Sequence, residues 1–238
     1  MATSSGRPPV VDVERVRAAV NRAAVSNHLQ AVFDRYAIEL IVDVGAHHGQ
    51  FARLVRGIGY EGPIVSYEPV PAAFEELARV SADDPAWSVH RLALGSREGP
   101  RPINVSRSTD FSSFRRLNAY ALDAFPKARV AGEETVAVRR LDTALDEHVP
   151  DAGAAPIFLK VDTQGSDLDV LEGASGVLER VAALQTEVPL RPLYEGVAGM
   201  PQVLAALAAG GFALSGVFPV SADEELRLIE VDCVAVRT

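Results

Sequence analysis

Leu40-Ile41-Val42-Asp43-Val44-Gly45-Ala46-His47-His48-Gly49-Gln50-Phe51 is the stretch on which the fold turns. Leu40 to Val44 is a short apolar, β-branched run with the character of a buried parallel strand. Gly45 and Gly49 follow at once, and Phe51, Leu54, Val55 and Ile58 recur at helical spacing, which predicts a helix over 49–58. Strand, glycine turn and helix make the first unit of a nucleotide-binding α/β sheet. Gly45 is expected to let the backbone approach a ligand, and the helix start to offer free N–H groups. The next apolar run, Ile64-Val65-Ser66-Tyr67, ends in Glu68-Pro69. An acid at that strand tip is placed to bind two ribose hydroxyls. The combination points to a ligand containing a nucleoside.

Working outward, residues 1–37 read as a polar tail over 1–9 and a helical extension over Val10 to Phe33. In that extension Val13, Val16, Ala19, Val20, Ala23 and Ala24 suit an amphipathic capping helix. Residues 38–238 read as one α/β domain. Pro71 to Val80 predicts a second helix and Trp87 to Leu92 a third strand ending at Ala93-Leu94-Gly95. The alternation then breaks. Runs at 102–106 and 135–139 predict a hairpin-like insertion, with a helix over Arg115 to Phe125 between them. Residues 106–134, with the serine-rich Ser108-Thr109-Asp110-Phe111-Ser112-Ser113-Phe114, read as a lid or substrate loop, and Ser113 as a cofactor contact. Asp142 reads as the N-cap of a short helix. Regular order resumes with strands at 157–162 and 182–187, a helix over 203–209, and two final strands, Phe212 to Phe218 and Leu228 to Val236, as an antiparallel pair. The expected fold is α/β: a seven-stranded, mostly parallel, doubly wound Rossmann-like sheet with an antiparallel last strand and the insertion after strand three.

Ligands of such sheets bind beyond the carboxyl ends of the strands. Those ends carry Asp43, Glu68, Ala93, Asp162 and Glu187, all acids but Ala93. Asp162 and Glu187 end neighbouring strands, so their carboxylates share one rim and are candidates for acid/base work. His48, in the glycine turn, is a third candidate base, and His47 a cofactor contact. A divalent metal is compatible with two rim acids but is not expected, since further oxygen ligands are lacking. Lys160 is read as the structural partner of an acid.

The chain has 23 Lys and Arg against 32 Asp and Glu, a net charge of −9, which argues against a nucleic-acid partner. A single cysteine, Cys233, excludes an internal disulfide and suits a reducing compartment. With no apolar signal core and no stretch long enough to span a bilayer, the sequence reads as cytoplasmic, without a membrane partner. It is compatible with a homo-oligomer.

The glycine pattern is Gly45-x-x-x-Gly49, not the G-x-G-x-x-G of dinucleotide sites. It resembles the first motif of Rossmann-like methyltransferases that use S-adenosylmethionine (SAM). Asp43-Val44-Gly45-Ala46-x-x-Gly49, Tyr67-Glu68-Pro69, Leu159-Lys160-Val161-Asp162-x-x-Gly165 and Leu171-Glu172-Gly173-Ala174 come in the order of the FkbM family of such enzymes. The strand Leu184 to Val188, Leu193-Tyr194-Glu195-Gly196 and Gly211-Phe212 extend the resemblance over about residues 38–236. It implies a class I methyltransferase fold, SAM as cofactor with S-adenosylhomocysteine (SAH) as product, and O-methylation of a hydroxylated small molecule, often a sugar or polyketide-type natural product. The implied cofactor contacts are Asp43, Gly45, His47, Gly49, Glu68, Pro69, Ala93, Ser113 and Asp162. Two departures stand out: His47 replaces a common Asn, and Ser166-Asp167 replaces an aromatic or His followed by Glu. A nicotinamide oxidoreductase would call for Y-x-x-x-K, which no tyrosine here satisfies. A non-catalytic SAM-binding protein is the other alternative. A DNA amino-methylating enzyme would carry N/D-P-P-Y/F/W where this chain has Asp162-Thr163-Gln164-Gly165.

Overall fold

The computed structural model describes residues 13–150 and 153–238, so the tail expected over 1–9 lies outside it. Two strands form the centre of the molecule: β1 (Leu40–Val44) and β7 (Ile157–Val161), buried along their whole length. Their continuous apolar runs fit strands covered on both faces. β2 (Ile64–Tyr67) and β3 (Trp87–His90) extend the sheet on one side, and β8 (Val181–Pro189), β10 (Leu228–Arg237) and β9 (Phe212–Ala222) on the other. The order is β3-β2-β1-β7-β8-β10-β9, and β10 alone runs antiparallel to its neighbours. The last strand of the chain is thus inserted beside β8, leaving β9 at the edge.

One face of the sheet packs against α5 (Leu141–His148), α6 (Asp167–Gly173) and α7 (Met200–Ala209) through Leu145, Val170 and Leu207. The other packs against α1 (Val13–Arg35), α2 (Gln50–Gly57) and α3 (Pro71–Ser81) through Leu29, Phe33, Val55 and Leu77.

The third strand is shorter than the sequence suggests. It ends at His90, and Ala93–Leu94 leave the main sheet as β4 to pair with β6 (Val130–Arg139). β6 also pairs antiparallel with β5 (Gly99–Ser106), giving a separate three-stranded sheet over Val70, Ala73, Ile103 and Val138. Within the insertion, the helix predicted over 115–125 contracts to α4 (Ala119–Ala124). Asn118 sets its start: its side chain accepts from the Ala121 N–H (2.9 Å) and donates to the Pro192 carbonyl (2.7 Å). Asp142 is not a cap either. Arg140 occupies the N-cap position of α5 and ion-pairs with Asp142 at 2.6 Å. α1 departs from the expected capping role in its N-terminal half, where Val16 and Val20 are 50% and 63% exposed; Val25 packs against the core, and Leu29, Val32 and Phe33 are buried in it.

Candidate functional site

Strand register lines up a polar row across the α1–α2 face of the sheet. Ser66 of β2, Asp43 of β1, Lys160 of β7 and Gln185 of β8 are successive neighbours and continue the face that carries Ile64, Ile41, Phe158 and Ala183. The Trp87 indole N–H donates to Ser66 Oγ (2.9 Å), whose hydroxyl reaches Asp43 Oδ2 at 3.4 Å. Lys160 Nζ lies 3.5 Å from Asp43 Oδ1, 3.3 Å from Asp162 Oδ2 and 3.2 Å from the Gly45 carbonyl. Burial pulls the Lys160 pKa down, but the carboxylates of Asp162, Asp43 and Asp232 outweigh it and hold the ammonium charged. Lys160 is therefore the structural partner of acids. Asp43 is fully buried beneath the site, its carboxyl pushed up by desolvation against the pull of Lys160, and it does not reach the cavity surface.

Two residues further along each strand, at the carboxyl ends, stand Glu68, Gly45, Asp162, Glu187 and, because β10 runs the other way, Asp232. They border a cavity of about 680 Å³. One wall comes from the glycine turn. The Gly45 and Ala46 N–H groups donate to the Tyr67 carbonyl (both 3.0 Å), and the Gly49 N–H to the Ala46 carbonyl (2.8 Å). A Cβ on Gly45 would fall 1.8 Å from the Asp162 carbonyl oxygen, and one on Gly49 2.6 Å from the Trp87 ring, with φ +76° at both. Neighbouring chain thus already demands glycine at both positions, while Gly45 also borders the cavity. Glu68, 5% exposed, accepts the His47 N–H and the Val70 N–H at 2.9 Å each. Burial raises its pKa to about 7 against the pull of those two amides.

His47 lines the cavity, whereas His48 stacks behind it with ring centroids 3.7 Å apart and stays outside the lining. Gln50 Nε2 lies 3.0 Å from His47 Nδ1 and can only donate, so the imidazole proton sits on Nε2 and is donated to Thr109 Oγ1 at 2.7 Å. Burial, and then the His48 neighbour, lower the His47 pKa and favour this neutral form. The contact brings the 109–111 turn of the insertion over the glycine turn. Ser113 is likewise outside the lining: its hydroxyl donates to the Gln164 carbonyl at 2.7 Å. Pro69 and Ala93 line the cavity and Gly49 does not.

The structure does bring Asp162 and Glu187 together. The Gln164 amide donates one N–H to Asp162 Oδ1 and the other to Glu187 Oε2, both at 2.9 Å. Gln164 Oε1 lies 2.7 Å from the Tyr194 hydroxyl, which is also 3.2 Å from the Phe111 carbonyl. Asp167, the shortened acid of the sequence, stays outside the cavity lining and accepts the Thr163 and Gly165 N–H groups at 3.0 and 3.3 Å. Sequence reasoning missed Gln164 as a bridge, and missed Glu230 and Asp232. A signal for the last two was present: they alternate with Ile229, Val231 and Cys233, and a final antiparallel strand returns its start to the rim where parallel neighbours end. Burial is the first cause of the raised pKa values of Glu187, Glu230 (about 7) and Asp232 (about 6), with Asp162 adding to each. Among the described residues, no group of three or more His, Cys, Asp or Glu side chains is disposed to hold a metal ion, and no helix is long and apolar enough to cross a membrane.

Comparison with known proteins settles the family. The model of the FkbM methyltransferase domain matches residues 43–214, well over half of the chain. The chain belongs to the FkbM methyltransferase family. Two relatives are methyltransferases: the 2-O-methyltransferase NoeI of Sinorhizobium fredii, 25% identical with 79% of this chain and 78% of NoeI covered, and the methyltransferase sdnD of Sordaria araneosa, 26% identical with 66% and 70% covered. The fold is also that of a putative SAM-dependent methyltransferase from Listeria monocytogenes, with a TM-score of 0.51, 7% identity, and 93% of this chain and 99% of that one covered. This FkbM enzyme is a SAM-dependent methyltransferase on the class I fold.

Proposed function

We propose that this enzyme methylates a hydroxyl group of a small molecule of the sugar or polyketide type. The observation that carries the reading is the pair Asp162–Glu187, held as one unit by Gln164 at the wall of the cavity into which the glycine turn opens. NoeI, a 2-O-methyltransferase by name, supports oxygen as the accepting atom. The residues present also fit the cofactor. Each Glu68 oxygen spends one lone pair on a backbone amide and keeps another for a ribose hydroxyl, and Val70, Leu92 and Ala93 offer an adjoining apolar wall for a purine. Gly45, His47 and Pro69 complete that side, and Asp43 acts from beneath through Lys160.

Bound SAM supplies a methyl group activated by its positively charged sulfur. The chain aligns the acceptor oxygen with that methyl and excludes water. Glu187 takes the hydroxyl proton as the acceptor oxygen gains the methyl, for which bound SAM would keep the C–S electron pair on sulfur and become SAH. Burial suits Glu187 to this role by raising its pKa well above the usual carboxylate range and so strengthening it as a base. Asp162, 3.3 Å from the Lys160 ammonium, orients the hydroxyl. His48, stacked outside the cavity, has no part in the proton transfer. The insertion that contacts His47 through Thr109 covers the site as a lid.

The test is SAH release from SAM across a panel of hydroxylated sugars and polyketide alcohols. Glu187→Gln should lower kcat about 100-fold, the usual worth of a positioned base, and leave SAH affinity unchanged. Full turnover by Glu187→Gln and Asp162→Asn, with an unaltered pH profile, contradicts the assignment.

A further inference from the structure

Beyond Asp162, the cavity continues along β10 to a zone that the transfer chemistry does not use. Asp232 is the register partner of Glu187, and Glu230 lies one pleat further on the same face; all three line the cavity. Among the described residues, no cation stands within ion-pair distance of Glu187, Glu230 or Asp232. Lys160, the cation in the cavity floor, is bonded to Asp43, Asp162 and the Gly45 carbonyl and attracts Asp232 only from beyond ion-pair distance. Arg22 of α1 borders the cavity but is exposed and makes no ion pair with the three acids. A second observation is independent of charge. Gln185, 4% exposed, lines the same cavity, and its Oε1 is buried with no donor from any described residue. Ser221 gives Glu230 one hydroxyl hydrogen (3.0 Å), Gln164 gives Glu187 one amide hydrogen and the Gln185 amide gives one to Asp232, so each acid keeps further lone pairs unclaimed.

The zone is thus built of acceptors. Burying several carboxylates together is costly unless they take up protons or a positive charge joins them. A neutral polyol would supply donors but no charge, and an anionic acceptor would be repelled. An ammonium group supplies three N–H donors and no acceptor, and matches both the charge and the orphaned Gln185 oxygen.

We propose that the acceptor carries a protonated amine near the hydroxyl that is methylated, as in an amino sugar or an amino alcohol, and that Glu230 and Asp232 bind it. This rests on the methyl-transfer reading above and names its substrate class. The amine is held and not methylated: its nitrogen stays protonated, with no lone pair to attack.

The test is calorimetric titration of SAH-loaded protein at pH 7.5 with matched pairs. Glucosamine is compared with glucose and with the neutral N-acetylglucosamine, and 1-amino-2-propanol with 1,2-propanediol. The amines should bind at least tenfold tighter than their neutral partners, and Glu230→Gln/Asp232→Asn should abolish that preference while SAH still binds. SAH binding with no preference for amines, absence of any acceptor binding included, overturns the proposal and leaves the methyltransferase reading intact. Failure of the parent protein to bind SAH would remove the reading on which it rests.

Discussion

The acids of β10 make a prediction about stability whose sign runs against the usual behaviour of carboxylates. Glu230 has its pKa raised from 4.5 to about 7, first by burial and then by Asp162 and Asp167, with the Ser221 hydroxyl opposing. A carboxyl with a raised folded-state pKa favours the fold when protonated, so its contribution is complete below the unfolded value and is lost as pH rises through about 7. Each pKa unit corresponds to about 1.4 kcal/mol, which gives the ionised group a full cost of about 3 kcal/mol at pH 8.5. Glu230 keeps some contact with water and shares protons with Glu187 and Asp232, so about half of that is a realistic figure. Glu230→Gln keeps an oxygen for Ser221 and removes the charge. It should exceed the parent in stability by roughly 1 kcal/mol at pH 6 and roughly 2 kcal/mol at pH 8.5. Urea denaturation of ligand-free protein at the two pH values measures this. A variant less stable than the parent at pH 8.5, or an advantage that shrinks as pH rises, refutes the reasoning.

Gly45→Ala forces a Cβ to within 1.8 Å of the Asp162 carbonyl at φ +76°, so overpacking and the left-handed backbone together should cost about 3 kcal/mol or more; a shift in urea midpoint worth under about 1 kcal/mol would show that β1 and β7 separate easily. Tyr194→Phe removes the hydroxyl that donates to Gln164 Oε1, and should lower stability by about 1–2 kcal/mol. Steady-state kinetics of that variant should show a several-fold drop in kcat with KM for SAM unchanged, because Gln164 holds the rim acids and not the cofactor. The ribose contact proposed for Glu68 is strongest with its carboxyl ionised, so SAH affinity, followed by titration between pH 8 and 6, should weaken as pH falls through about 7.

The fold was legible where local pattern and long-range pairing agree. Leu40 to Val44 and Ile157 to Val161 are apolar throughout because both faces are covered, and such runs announce central strands. The antiparallel end was readable from the short link between β9 and β10. Ala93-Leu94 was not, because nothing in two apolar residues says which sheet they join; Val138 and Arg139, far along the chain, decide it. The helix start at Asn118 was hidden because its cap depends partly on the Pro192 carbonyl. In the site, the residues at the ends of parallel strands were visible as a row of acids, and Lys160 as their partner. Register decided what remained: whether Asp43 surfaces or lies beneath, whether His47 or His48 faces the cavity, and which residues of β10 return to the rim.

Glu68, at the tip of β2, is the residue on which the proposed cofactor site most depends. Calorimetric titration with SAH, with NAD in parallel, on the parent and on Glu68→Gln tests it, since glutamine keeps an oxygen for one of the two backbone amides. Micromolar SAH binding by the parent, at least tenfold weaker in Glu68→Gln and absent for NAD, is the expected result. SAH binding unchanged by the substitution, or none by the parent, would contradict the site as drawn.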